Sequence, residues 1–267
     1  MSITTLDGCL AGMVYPREIV KAVTGTLVAG RPHTQWYTGG IPGAGVACTA
    51  GINGEILTSP VSGQIPFTNP VSGSSYLARF AGQAAQAGQL LLIDKIWVNS
   101  GIDITLTSLQ SITGAQIPAR DATGTNTGYQ VLGAVEVSTT TGAGTPTLTL
   151  AYTNTAGQAK TATNVVSTLA SSIAGTFYPI GLAAGDTGIQ AVTGVTLSAT
   201  WTSGVIHVVL YRIIARLEIT TANTPNAIDA LTSGFPRIYD DSVLTTVFIP
   251  QTTTTSNITG HVVISQG

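Results

Sequence analysis

GVIHVVLYRIIARLEI, residues 204–219, decides the fold. It is the most apolar segment of the chain, and a membrane span and a buried strand compete for it. A spanning helix needs roughly 20 apolar residues, whereas His207, Arg212 and Arg216 interrupt this shorter run. Its Val, Ile, Leu and Tyr content favours a pleated strand. Alternation then sets His207 on the face opposite Ile206 and Val208, as a strand histidine with satisfied hydrogen bonds. Just upstream, across the turn residues Thr202–Gly204, IQAVTGVTLSATW (189–201) reads as a second strand.

The same pattern extends in both directions. LLLIDKIWV (90–98), IDITLTSL (102–109), YQVLGAVEVSTTT (129–141), TPTLTLAYTNT (145–155), SVLTTVFIP (242–250) and SNITGHVVIS (256–265) complete at least eight candidate strands. Connectors rich in Gly, Asn, Asp and Thr carry turn chemistry. Many short strands with frequent turns and little helix predict a β-sandwich or barrel. Thr alternating with Val, Ile or Leu predicts sheets with one buried and one accessible face. Thr and Ser carry no charge to deter strand-to-strand association, so such edges call for cover in an assembly.

Two other textures precede the β zone. Residues 1–74 are rich in Pro and Gly: YPRE (15–18), GGIPGAG (39–45), SPVSG (59–63) and NPVSGSS (69–75). Proline fixes φ and removes a donor, so this zone predicts loops with a few short strands, laid as an arm across a neighbour. From Tyr76 to Gln89, Leu77, Phe80, Ala81, Ala84, Ala85 and Gly88 recur at three- and four-residue steps, which predicts a short helix. The reading is therefore mainly β: an antiparallel β-sandwich, jelly-roll-like, over residues 75–267, with an extended loop-rich N-terminal arm over residues 1–74 and one short helix.

Composition narrows the function. Only 8% of the 267 residues are charged, against roughly 25% in ordinary soluble domains. Charged side chains normally cover a lone protein's outside, so their scarcity points to an outside held against other protein. The net charge is −2 and the ten Lys and Arg are scattered, so the clustered cations of a nucleic-acid footprint are absent. MSITTLDGCLAGMVYPREI has no basic region ahead of an apolar one, unlike a signal peptide. Cys9 and Cys48 read as two spare thiols of a reducing compartment.

Site chemistry is sparse. His33, His207 and His261 show no metal-ligand spacing, and neither cysteine has a nearby His partner. No GxSxG elbow is present, and the glycines of TTGAGTP (140–146) and GGIPGAG lie outside the strand–loop–helix frame that phosphate loops require; they read as hairpin turns. Asp94 and Lys95 read either as a paired buried charge or interface ion pair, or as a solvated edge pair. Asp240 and Asp241 fall in a turn, where a carbohydrate-cleaving pair is a minor alternative. No catalytic, metal or cofactor residue is assigned and no cofactor is expected. Large aromatic and Arg side chains are interface hot-spot types, and Trp36, Tyr37, Arg237 and Tyr239 are the candidates; Trp97 and Trp201 read as core.

LLLIDKIWVNSGIDIT (90–105), IPARD (117–121), EVSTTTGAGTPTLTLAYTN (136–154), IGLAAGDTGIQAV (180–192), LSATWTSGVIHVVLYR (197–212) and GFPRIYDDSVLTTVFIP (234–250) resemble virion structural proteins of tailed bacteriophages and prophages. The texture is similar to their auxiliary head proteins, of the decoration or cement type. The resemblance implies a non-enzymatic virion protein assembled in the bacterial host cytoplasm. Its implied partners are the major capsid protein and further copies of itself, a trimer being favoured, with neither nucleic acid nor membrane. A shell protein, a tail-tube subunit or a head–tail connector is the nearest alternative, and a carbohydrate-binding module a more distant one.

Overall fold

The computed structural model describes residues 3–267. Its elements in chain order are α1 (Leu6–Ala11), β1 (Arg17–Lys21), β2 (His33–Thr34), β3 (Gly40–Ile41), β4 (Glu55–Ile56), β5 (Ser75–Ala84), β6 (Gly88–Val98), β7 (Gln110–Ser111), β8 (Val131–Thr139), β9 (Leu148–Asn154), β10 (Ala159–Thr163), β11 (Phe177–Pro179), β12 (Ile189–Leu197), β13 (Val205–Ile219), β14 (Asn226–Asp229), α2 (Ala230–Ser233), β15 (Arg237–Ile238), β16 (Leu244–Pro250) and β17 (Ile258–Gln266). The protein is mainly β, with antiparallel sheets in a sandwich arrangement and two short helices. The chain forms two compact units: residues 1–46, 58–94 and 213–267 make the first, and residues 47–57 and 95–212 the second. The long strands β6 and β13 contribute residues to both.

In the first unit, one sheet has the order β14-β5-β17-β1-β3, with β15 also on β5. β5 and β17 pair along most of their lengths, with one bulge between Val263 and Ile264. A second layer holds residues 88–94 of β6 beside β16, and β16 beside β2. Phe80, Leu77, Leu90, Leu92, Leu217, Phe248 and Val262 are buried in this unit. A Cβ added at Gly82 would lie 3.2 Å from Leu90 Cδ2 and 3.7 Å from Leu217 Cδ2, which shows how closely β5 approaches those side chains.

In the second unit the sheet β10-β9-β12-β7 shares a core with β8, the first half of β13 and the end of β6. Trp97, Val135, Leu150, Tyr152, Val195, Trp201 and Val208 lie in one apolar cluster. Here the alternation is plain: β9 reads buried at Leu148, Leu150, Tyr152 and Asn154, with half-buried residues between. Trp97 and Trp201 are core residues as expected.

Four local expectations are corrected. The segment expected as a helix, Tyr76–Gln89, is strand β5 with its turn into β6. Its Ala and Gly residues serve close strand contact: a Cβ on the facing Gly260 would sit 2.2 Å from Ala81 O. The helices that do form, α1 and α2, are capped by Thr5 and by the Asp229–Thr232 capping box. Within residues 102–109, Ile102 and Ile104 are buried alternately, but no ladder forms. The Asp103 carboxylate accepts from Thr105 N at 2.8 Å, and the Gln110 amide takes both Asp103 N and Asp103 O at 2.8 Å. Side-chain bonds of this kind replace a ladder. TTGAGTP is not a hairpin turn, because β8 and β9 belong to different sheets; it packs instead on the 200–203 turn, with Gly142 N donating to Ser203 O. GGIPGAG likewise is no hairpin turn: it contains β3, which pairs with β1.

Residues 3–74 carry only short strands, and these pair within the chain: β1 with β17, β2 with β16, β4 with β6. Ile19, Leu27, Trp36, Ile65 and Phe67 from this stretch are buried.

Candidate functional site

The polar groups available for chemistry sort into buried partners and loop organisers. Asp94 and Lys95 are successive residues of β6 and so face opposite ways. Asp94 accepts from Ser242 Oγ and Val243 N, both at 2.9 Å. Lys95 pairs with Glu136 Oε2 at 2.8 Å, both side chains being almost fully buried. The two do not pair with each other, and neither is a solvated edge charge. Arg120 donates to Leu57 O at 2.6 Å and to Lys95 O at 3.3 Å.

His207 stands across from Glu136 in the β8–β13 register. Its Nδ1 lies 2.6 Å from Asn99 O, and a carbonyl only accepts, so Nδ1 carries the proton. Nε2 then accepts from Ser138 Oγ at 2.8 Å. Burial pushes the imidazole below its ordinary range, more strongly than the Asn99 bond and the Glu136 charge pull it up. It is a neutral, doubly bonded strand histidine.

The acids outside the core close loops. Asp121 receives Thr123, Thr125 and Thr127 hydroxyls and the backbone N–H groups of Thr123, Thr125, Gly128 and Tyr129. Burial opposes ionisation, but these bonds outweigh it and hold the carboxyl well below the usual range. Asp186 accepts from Tyr152 Oη at 2.6 Å and Asn154 Nδ2 at 2.7 Å, which holds it low, and burial together with Asp186 pushes the phenol up to about 12. Asp241, at φ 61°, is tied to Asn69 by bonds from Asn69 Nδ2 and from its own N–H, both 2.8 Å. Cys9 and Cys48 are free thiols, and burial raises the Cys48 pKa. Among the described residues no group of three or more His, Cys, Asp or Glu is placed to hold a metal ion, and no helix is long and apolar enough to cross a membrane.

The four expected contact residues fall in different settings. Trp36 is buried, its Nε1 donates to Val46 O at 3.1 Å, and Gly45 lies against the indole, where a Cβ would come within 2.4 Å. Tyr37 is half-buried. Arg237 is exposed and its guanidinium sits 4.8 Å from the centroid of the mostly buried Tyr239 ring. Beside these, a surface depression of about 420 Å³ is lined by Thr145, Pro146, Thr147, Asn164, Val165, Ser167 and Thr168. It holds no charged side chain.

The surface itself is the distinctive feature. Of the 22 charged side chains, seven are buried: Lys21, Asp94, Lys95, Arg120, Asp121, Glu136 and Arg212. Fifteen remain for 10641 Å² of surface. Sixteen large apolar side chains are exposed among the described residues, nine of them between Leu6 and Val71. Scarce charge was legible in the sequence; that a third of it lies inside was not, because the partners of Arg120 and of the Lys95–Glu136 pair are distant along the chain.

No protein-family model and no curated protein matches the chain. Among solved structures it is weakly similar to the infectious bursal disease virus Gt strain, at 9% identity over 95% of this chain and 82% of that chain, with a TM-score of 0.18. The VP2 subviral particle of the same virus gives 9% identity, 96% and 81% coverage and a TM-score of 0.18. The Gx strain gives 9%, 93%, 82% and 0.17. Superpositions this loose leave the reading of the surface to its own chemistry.

Proposed function

We propose that this chain is a phage virion structural protein, a capsid decoration or cement subunit that stabilises the head through protein–protein contacts and carries out no catalysis. The observation that supports it best is the outside of the fold: fifteen charged side chains over 10641 Å² with sixteen exposed large apolar ones. A surface with few charges has few groups to desolvate on assembly, and buried charge is costly unless paired. Concentration of nine exposed apolar residues in the first 74 makes that stretch the contact region, with the major capsid protein as partner. The buried acids and bases are partnered within the fold, which argues against an enzyme using them.

The mechanism is mass action. A subunit that binds only the assembled shell shifts the equilibrium toward the shell, by about 2.7 kcal/mol per site at a free concentration of 100 Kd. Mixing purified protein with heads that lack it, then sedimenting, tests this. Saturable co-sedimentation with heads and a raised disruption temperature are expected. Binding to tails alone would favour a tail component, and binding to neither would sink the proposal. Val46→Glu with Val71→Glu places charge at two exposed positions of the contact stretch and is expected to weaken head binding at least tenfold, with an unchanged melting temperature.

A further inference from the structure

The uncharged depression of residues 145–147 and 164–168 lies wholly within the second unit and uses none of the residues assigned to the capsid contact. It sits where β9 begins and β10 ends. Asn164 ties those two ends together. Its N–H donates to Leu148 O at 3.0 Å, its Oδ1 accepts from Leu148 N at 2.7 Å, and its Nδ2 donates to Val166 O at 2.7 Å. Pro146 and Thr168 are the buried lining residues, and Thr168 Oγ1 closes this floor by donating to Pro146 O at 2.6 Å. Both segments are also held from outside, Thr147 N donating to Ser198 Oγ at 2.7 Å and Val165 N to Pro179 O at 2.9 Å. The depression is therefore formed before any ligand arrives. Its volume of about 420 Å³ falls within the roughly 300–1,000 Å³ of small-molecule sites.

Thr145, Thr147, Val165 and Ser167 are its exposed lining residues. An ion entering here would shed water and meet no counter-charge, which is costly. A hydroxyl is donor and acceptor at once, and threonine carries a methyl beside it. Val165 and Pro146 add apolar surface. Such a lining matches a neutral molecule that itself mixes hydroxyls with C–H surface. The same chemistry continues onto the sheet. Thr149, Ala151 and Thr153 of β9 stand beside Thr163, Thr161 and Ala159 of β10, on the face opposite buried Leu148, Leu150 and Tyr152. Lys160 pairs with Tyr152 in that register and so turns to the other side. A track of hydroxyls and methyls leads out of the depression, without the large aromatic or Arg anchors that protein contacts favour.

We propose that this depression binds a neutral saccharide, the track on β9 and β10 carrying the further rings of a longer chain. The Thr145 and Thr147 hydroxyls exchange hydrogen bonds with sugar hydroxyls, while Val165 and Pro146 lie against the C–H side of a ring. The site is open and has no aromatic platform, so a disaccharide binds weakly and a longer chain of the same sugar binds better. This goes beyond head binding and does not depend on it.

The test is ligand-observed NMR with calorimetry on the full-length protein. Maltose, cellobiose and diacetylchitobiose are the neutral probes, and digalacturonic acid is the charged control. Saturable binding of at least one neutral disaccharide is expected, half-saturated at about 1–10 mM, with the tetrasaccharide of that series tighter and digalacturonic acid weaker. Thr147→Val keeps the shape and removes one hydroxyl, so it should weaken binding about fivefold, the loss of one neutral hydrogen bond. Thr145→Val with Thr147→Val should weaken it about 25-fold if the two act independently. Thr221→Val, an exposed threonine of the first unit, should change nothing. The double variant should melt like wild type and still co-sediment with heads, so the saccharide site and the head contact fail separately. No saturable binding of any neutral probe, digalacturonic acid binding as tightly as the best of them, or an unchanged affinity in the folded double variant would overturn the proposal.

Discussion

At Asp121 seven hydrogen bonds converge on one carboxylate and close the loop 121–129. Bonds to a charged acceptor contribute roughly 1.5–3 kcal/mol each where they are not shared. Asp121→Ala is expected to cost about 3 kcal/mol in urea unfolding at pH 7. The pH sign follows from the lowered carboxyl: its stabilisation is full above the unfolded value near 4 and declines as pH falls below that toward the folded value. Asp121→Asn should therefore lose less stability between pH 5 and pH 3 than wild type; equal acid sensitivity would contradict this. Lys95 and Glu136 make a second residue-scale test. Removing one partner strands a buried charge, so Glu136→Gln should cost about 3–5 kcal/mol, whereas Lys95→Met with Glu136→Leu should recover most of the loss. Additive losses in that double-mutant cycle would refute the coupling. His207 adds a milder effect of the same sign as Asp121. Its folded pKa is lowered, so its contribution is full above about 6.5 and falls as pH drops below that, while the unfolded state takes up the proton.

At the scale of elements, the sequence was most legible where alternation coincides with a ladder. β8, β9, β12, β13 and β16 fall inside the runs expected for them and β17 overruns its own by one residue, because Val, Ile and Leu on one face had a core to meet. β5 was missed for a definite reason. Leu77, Phe80, Ala81 and Ala84 fit a helical period, but a β-bulge at Val263/Ile264 breaks the alternation of the burial pattern. Small residues there answer to the backbone of β17, which no local pattern reveals. Gly260→Ala is expected to destabilise by about 2 kcal/mol or more, since its Cβ would lie 2.2 Å from Ala81 O and overpacking costs about 1–3 kcal/mol. A neutral effect on the unfolding midpoint would mean that β5 and β17 are less tightly paired. Residues 102–109 failed in the opposite direction: Ile102 and Ile104 alternate correctly, but Asp103 and Gln110 capture the backbone groups a ladder would use.

At the scale of the whole molecule, composition was the stronger guide. Sparse charge and exposed apolar residues in the first 74 positions are the features on which the proposed contact role rests. The contact residues themselves were less legible. Trp36, an anchor by type, has its indole against Gly45 and bonded to Val46 O, while the exposure of Leu6 and Leu10 on α1 and of Val20 and Ile41 on β1 and β3 shows only in the fold. The stretch is also woven into the fold by Ile19, Leu27, Ile65 and Phe67, so deleting residues 1–40 should unfold the first unit, and point charges on its surface are the informative variants. The central claim, the proposal that this chain is a structural part of a particle, is tested most directly by its copy number in purified virions. Quantitative mass spectrometry of particles washed through a density gradient is expected to give a fixed ratio to the major capsid protein, unchanged by repeated banding. Absence from the particles, or a ratio that falls toward zero with each wash, would contradict it.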